Sequence, residues 1–162
     1  MNKNPLVAQA LDVWQTSNDI NLVLLNAIPT AGLEARPAGS RGRTVAEQMV
    51  HMIQVRRGWL YYQQTGKRPT RGAVMVPRVL TKPQLRRHLA QSGREVAAFL
   101  ADRLDTGKPV RAFGKQPLRW LGYLIAHDAH HRGSILLALR QSGKRLPAKV
   151  ALDGLWARWM WK

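Results

Sequence analysis

The sequence predicts an all-α fold, an antiparallel four-helix bundle closed by a short C-terminal helix. Three observations lead there. Apolar residues recur at helical spacing over four long stretches. Two of those stretches open on a threonine followed three residues later by a glutamate or glutamine, the reciprocal cap of a helix start. Between them lie proline- and glycine-rich connections, and no run alternates like a half-buried strand. The chain has 162 residues, a length that suits one domain with a sizeable core spanning residues 1–162.

The first helix runs from Pro5 to Ala27, with proline in its first turn. Leu6, Ala10, Val13, Trp14, Leu24, Leu25 and Ile28 supply its apolar face, and Asn21 falls on that face and needs a polar partner. Pro29 to Arg43 is a breaker-rich connection. The second helix opens on the capping box Thr44-Val45-Ala46-Glu47, continues to about Gln64 and stops at Gly66. His51 sits within it, on a face shared with Glu47, Gln48, Val55, Gly58 and Tyr62. Lys67 to Leu80 is a long basic loop whose apolar run Ala73 to Val76 either packs over the helices or extends as a small strand.

The third helix starts near Thr81, with Pro83 in its first turn and Gln84 completing the cap, and ends about Leu104, before Gly107. His88, flanked by Arg86 and Arg87, reads as a surface residue. The fourth helix opens at Pro117 or Leu118 and ends near Ser142-Gly143. The last segment, Asp153 to Lys162, places Trp156, Trp159 and Met160 on one face, which either seals the bundle or forms an exposed aromatic patch for a partner subunit.

The composition excludes some chemistry. With no cysteine, the chain has no disulfide, no thiolate nucleophile and no cysteine-based zinc site. Neither a signal peptide nor a membrane-spanning segment is legible, so a soluble cytoplasmic protein without a membrane partner is expected. The 26 lysines and arginines against 9 acids give a formal charge of +17. Such a surface attracts nucleic acid and anionic small molecules. The basic residues are scattered along the chain, which equally fits a solvated surface, and no nucleic-acid-binding motif accompanies them.

Chemistry concentrates in the run His127-Asp128-Ala129-His130-His131-Arg132-Gly133, which carries three of the five histidines. Residues four apart on a helix lie roughly 40° apart around the axis, so His127 and His131 address one volume. His127 with His130, three apart, is the other possible pair. An imidazole from the second helix, His51, would complete a set of three, leaving an open position on a divalent ion for water or substrate. Asp128 points about 100° away from His127 and is expected to form a salt bridge.

These pieces resemble the DinB/YfiT-like superfamily of small four-helix bundles. The likeness is carried by Trp14 and Asn21, by Thr44-Val45-Ala46-Glu47-Gln48-Met49-Val50-His51 followed by Trp59, and above all by His127 to Ile135. The resemblance implies a metal triad of His51, His127 and His131, a divalent ion (zinc or nickel) and a homodimer. Some relatives are thiol transferases that use bacillithiol, mycothiol or glutathione; many have no assigned activity. It thus implies a metal-dependent enzyme that activates a low-molecular-weight thiol, or water, with no catalytic residue identified. Glu47, His130 and Ser134 are candidates to support the ligands, Glu47 being better read as a cap. Arg56 and Arg132 are candidates to hold an anionic thiol. A basic, DNA-damage-linked nucleic-acid-binding protein, or a bundle with a purely structural or vestigial metal site, are the alternatives.

Overall fold

The computed structural model describes residues 4–70, 72, 76–77 and 80–161. It is all-helical, with no strand among the described residues. Four long helices, α1 (Pro5–Ala27), α2 (Val45–Thr65), α3 (Lys82–Thr106) and α4 (Pro117–Gln141), precede a C-terminal helical segment. That segment is wound as a π-helix over Val150–Ala157 and as an α-helix over Arg158–Met160. No helix among the described residues is long and apolar enough to cross a membrane.

Local chemistry sets the helix ends where the sequence places them. The Asn4 side chain accepts from the Leu6 N–H at 3.0 Å, ahead of Pro5. Thr44 Oγ1 accepts from the Glu47 N–H at 3.1 Å while Glu47 Oε2 accepts from the Thr44 N–H at 2.9 Å. At α3, Gln84 Oε1 accepts from the Thr81 N–H at 2.8 Å. Gly66 and Gly107 close α2 and α3 in the left-handed region, with φ of 72° and 66°.

α1 and α2 each pack on both α3 and α4. The apolar core is divided into two clusters. One gathers Leu24 and Leu25 of α1, Val45 to Ile53 of α2, Leu85 and Leu89 of α3, and Ile135 to Leu139 of α4. The other gathers Ala10 and Trp14, Leu60, Val96 and Leu100, and Trp120 to Leu124. α1 and α4 therefore run from the second cluster to the first, and α2 and α3 run the opposite way. Between the clusters lies a layer of buried polar side chains, including Asn18, Asn21, Arg56, Ser92 and Asp128.

Two sequence expectations are corrected. On α1, Leu6 and Val13 are 69% and 52% exposed, while Ser17, Asn18 and Asn21 are buried. The buried stripe crosses the polar layer, so a purely apolar pattern misplaces it. At the C-terminus, Leu155 is the buried residue, whereas Trp156 and Met160 are 67% and 66% exposed. The segment begins before Asp153 and winds with i→i+5 periodicity; the sealing role expected of Trp156 and Met160 is not formed, and both stand exposed, as the other reading of this segment has it. Trp159 is half-buried, and its indole N–H donates to the Gly154 carbonyl at 2.9 Å. The run after Lys67 ends with Val76 and Leu80 packed in the first cluster; Arg71, Ala73 to Met75 and Arg78 lie outside the described residues.

The turn before α4 is unusual. Ala112, Phe113 and Lys115 have φ of 58°, 49° and 64°, around Gly114 at 60°. Gln63 of α2 holds its start, accepting from the Arg111 N–H at 2.6 Å and donating to the Arg111 carbonyl at 2.9 Å. The turn seats the Phe113 ring 4.7 Å from that of Trp59 and 5.2 Å from that of Tyr123.

α1 and α3 approach closely at Gly93. The Trp14 indole donates to the Gly93 carbonyl at 2.8 Å, and a Cβ on Gly93 would stand 2.5 Å from Asn18 Oδ1. Asn18 is buried and fixed by Arg56, so it has nowhere to move. Gly93→Ala is expected to destabilise the protein by about 1–3 kcal/mol in urea unfolding, although alanine is the better helix former. A neutral or stabilising result would contradict this packing.

Candidate metal centre

α2 and α4 bring His51, His127 and His131 together. One ring nitrogen from each lies within 4.8 Å of the others. The Nε2 atoms of His51 and His127 are 3.4 Å apart. The ring centroids are separated by 5.3 Å for His51–His127, 4.9 Å for His51–His131 and 4.6 Å for His127–His131. His131 is buried, and the other two are half-buried.

The surroundings of His51 and His131 favour the uncharged imidazole. Burial, with Arg43 and His127 nearby, lowers the His51 pKa to about 4. Burial and the neighbouring His127 and His51 do the same to His131, also to about 4. Neutral imidazoles are the form in which histidine binds metal.

The outer nitrogens are placed by residues from both helices. His131 Nδ1 lies 3.3 Å from Gln48 Oε1. With the proton assigned to Nδ1, it donates to that carbonyl and leaves Nε2 a lone pair. His127 Nδ1 lies 3.7 Å from Asp128 Oδ1. That is beyond hydrogen-bond length, yet both atoms are buried and neither has another partner. A carboxylate beside the outer nitrogen of a ligating histidine is a recurrent feature of metal sites.

Asp128 is anchored from its other side. Oδ2 accepts from Arg56 Nη2 at 2.6 Å and from Asn21 Nδ2 at 2.9 Å. Arg56 and Asp128 side chains are both fully buried. Burial pushes the Asp128 carboxyl upward, but Arg56, helped by His127 and Arg132, outweighs it and holds the group below the usual carboxylate range. Arg56 Nη1 donates to Asn18 Oδ1 at 2.8 Å and to the Leu89 carbonyl at 3.2 Å, and its guanidinium stacks over Trp14. Arg132 Nη1 donates to Asn21 Oδ1 at 2.9 Å.

The residues named from sequence separate accordingly. His51, His127 and His131 meet. His130 is exposed, its ring 5.2 Å from that of His131, and it is not in the cluster. Ser134 is half-buried one turn beyond His130. Glu47 closes the α2 cap, with Arg36 4.0 Å away. Arg56 is sealed in the core and cannot reach a substrate. His88 is half-buried, 3.4 Å from Arg57 Nη2. The salt bridge expected of Asp128 is present, and the partner required by Asn21 is Asp128 itself. Sequence reasoning missed Gln48 as the contact of His131 and the double role of Asp128. A glutamine one turn before His51 was the available signal.

The donor set fits a divalent ion: three imidazole nitrogens converge, the outer nitrogen of His131 lies against Gln48 and that of His127 faces Asp128, and three ligands leave coordination positions open. A pocket of about 540 Å³ opens beside His51, with Trp59, Tyr62 and Tyr123 in its wall. A comparison with protein-family models matches residues 1–161 to the DinB family. A search of curated proteins finds no match.

The histidine values give the metal-free protein a defined pH response. Both lie below the ordinary 6.5, so as pH falls the unfolded chain takes up protons first. Stability is insensitive to these groups above about 6.5, declines between 6.5 and about 4, and levels off below. The melting temperature of metal-free protein should therefore fall through this window. In the double variant His51→Gln, His131→Gln the fall should be shallower; a parallel curve would refute the assignment.

Proposed function

Since the chain belongs to the DinB family, we propose that it is a divalent-metal protein, and that His51, His127 and His131 hold a zinc or nickel ion in an enzyme that activates a low-molecular-weight thiol or water. The convergence of three imidazole nitrogens within 4.8 Å carries this reading. Its setting is a single four-helix bundle, antiparallel in that α1 and α4 oppose α2 and α3, working as a cytoplasmic homodimer.

A divalent ion held there supplies a Lewis acid that lowers the pKa of a thiol or water beside it. The chain's own contribution is positional. Gln48 fixes the tautomer of His131. Asp128, clamped by Arg56 and Asn21, stands behind His127 and favours the proton on Nδ1, which turns Nε2 toward His51. Burial keeps His51 and His131 neutral and ready to bind at ordinary pH. His51 also lines the pocket, through which a reacting molecule would have access. Arg132 is half-buried against α1, where its Nη1 donates to Asn21 Oδ1.

Metal content of untagged protein, by inductively coupled plasma mass spectrometry, tests the reading. Near one equivalent is expected in the wild type and none in His51→Ala or His131→Ala. Stoichiometric metal retained in either variant would overturn the ligand set. Asp128→Asn should keep the histidines and lower metal affinity about 10- to 100-fold in competition with a chelating dye. Arg56→Met, which strands a buried carboxylate, should instead cost about 3–5 kcal/mol of stability. If Asp128→Asn leaves affinity unchanged, the carboxylate serves the core alone.

A further inference from the structure

We propose that the pocket beside His51 binds a planar, apolar molecule carrying a single negative charge, the second reactant of the chemistry at the imidazole cluster. Its role as reactant rests on the metal-centre reading; the binding itself does not.

The volume of about 540 Å³ lies in the range of small-molecule sites. The wall is aromatic and rigid. The Trp59 ring meets Tyr62 edge-on at 5.8 Å and Tyr123 edge-on at 5.7 Å, and Phe113 braces both Trp59 and Tyr123 from behind. Interlocked rings of this kind leave flat faces suited to a flat guest. Tyr123 remains 37% exposed.

Gly58 points the same way. A glycine inside a helix weakens that helix. Here it faces Pro69, and a Cβ would stand 3.5 Å from Pro69 Cγ, so alanine would fit without a clash. Both residues line the pocket, and the missing side chain is what keeps that part open. Helix stability has been given up for empty space.

The sign of the charge comes from Arg68. Among the described residues lining the pocket, it is the one permanently charged side chain. It stands in the loop after α2, beside Pro69, at the exposed edge. A guest that stacks on the rings and places a carboxylate or sulfonate at this edge meets both features. The pocket is continuous with the cluster: His51 belongs to both, and the Tyr123 ring lies 6.0 Å from that of His127.

Calorimetric titration with 2-naphthoate and its neutral counterpart 2-naphthamide, at low ionic strength, tests the proposal. The wild type should bind one naphthoate per chain, about fivefold more tightly than the amide. Arg68→Gln should bring the two to equal affinity. Gly58→Leu, which fills the pocket, should abolish both. Tyr123→Ala, at a partly exposed site that folding tolerates, should weaken both severalfold and covers the case in which Gly58→Leu does not fold. Protein stripped of metal by a chelator should bind naphthoate as the untreated protein does, so a failed metal centre and a failed pocket give different results. Absence of naphthoate binding, equal affinity for acid and amide in the wild type, or binding indifferent to both pocket variants would overturn it.

Discussion

The ion pair between Arg56 and Asp128 is the interaction on which the rest of the molecule depends. Both side chains are fully buried, at a depth where an unpartnered charge is not tolerated. The pair, which joins α2 to α4, is tied to polar groups of the other two long helices: Asn21 of α1 bonds Asp128, while Asn18 of α1 and Leu89 and Ser92 of α3 bond Arg56. These contacts fix the rotation and height of the four helices against one another. The apolar clusters above and below are less demanding, since hydrophobic packing tolerates rearrangement that a hydrogen-bonded charge does not.

That polar layer is also what holds the imidazole cluster. Asp128 is adjacent to His127 in sequence, and one step along a helix turns the side chain by about 100°. One residue looks into the core and its neighbour into the cluster. Orientation passes from the buried guanidinium through the carboxylate to the histidine. The common route to a more stable core, exchange of a buried ion pair for apolar residues, would remove the group behind His127.

Much of this was legible in the sequence. Helix ends were readable because caps are local: Thr44 with Glu47, Thr81 with Gln84, and glycines at 66 and 107 act within one turn. The 51, 127 and 131 set was readable because spacing of four fixes direction on one helix and the family pattern supplied the third member. The remainder depends on how helices rotate against one another. Nothing local says that Arg56, rather than its neighbour Arg57, turns fully inward, or that Gln48 rather than Glu47 reaches His131. Polar residues at 17, 18 and 21 disguised the buried stripe of α1, and spacing alone did not decide between a sealing and an exposed role for Trp156 and Met160.

The turn at residues 112–115 has a consequence for how the chain can vary. Left-handed backbone is costly for residues with a Cβ, and glycine would relieve it at Phe113. Glycine there would also delete the ring wedged against Trp59 and Tyr123. The position is thus caught between two demands, backbone ease and an aromatic buttress, and the buttress prevails. Substitutions that improve local conformation would loosen a wall some distance away, so drift at this turn is constrained by a surface that the turn itself only supports.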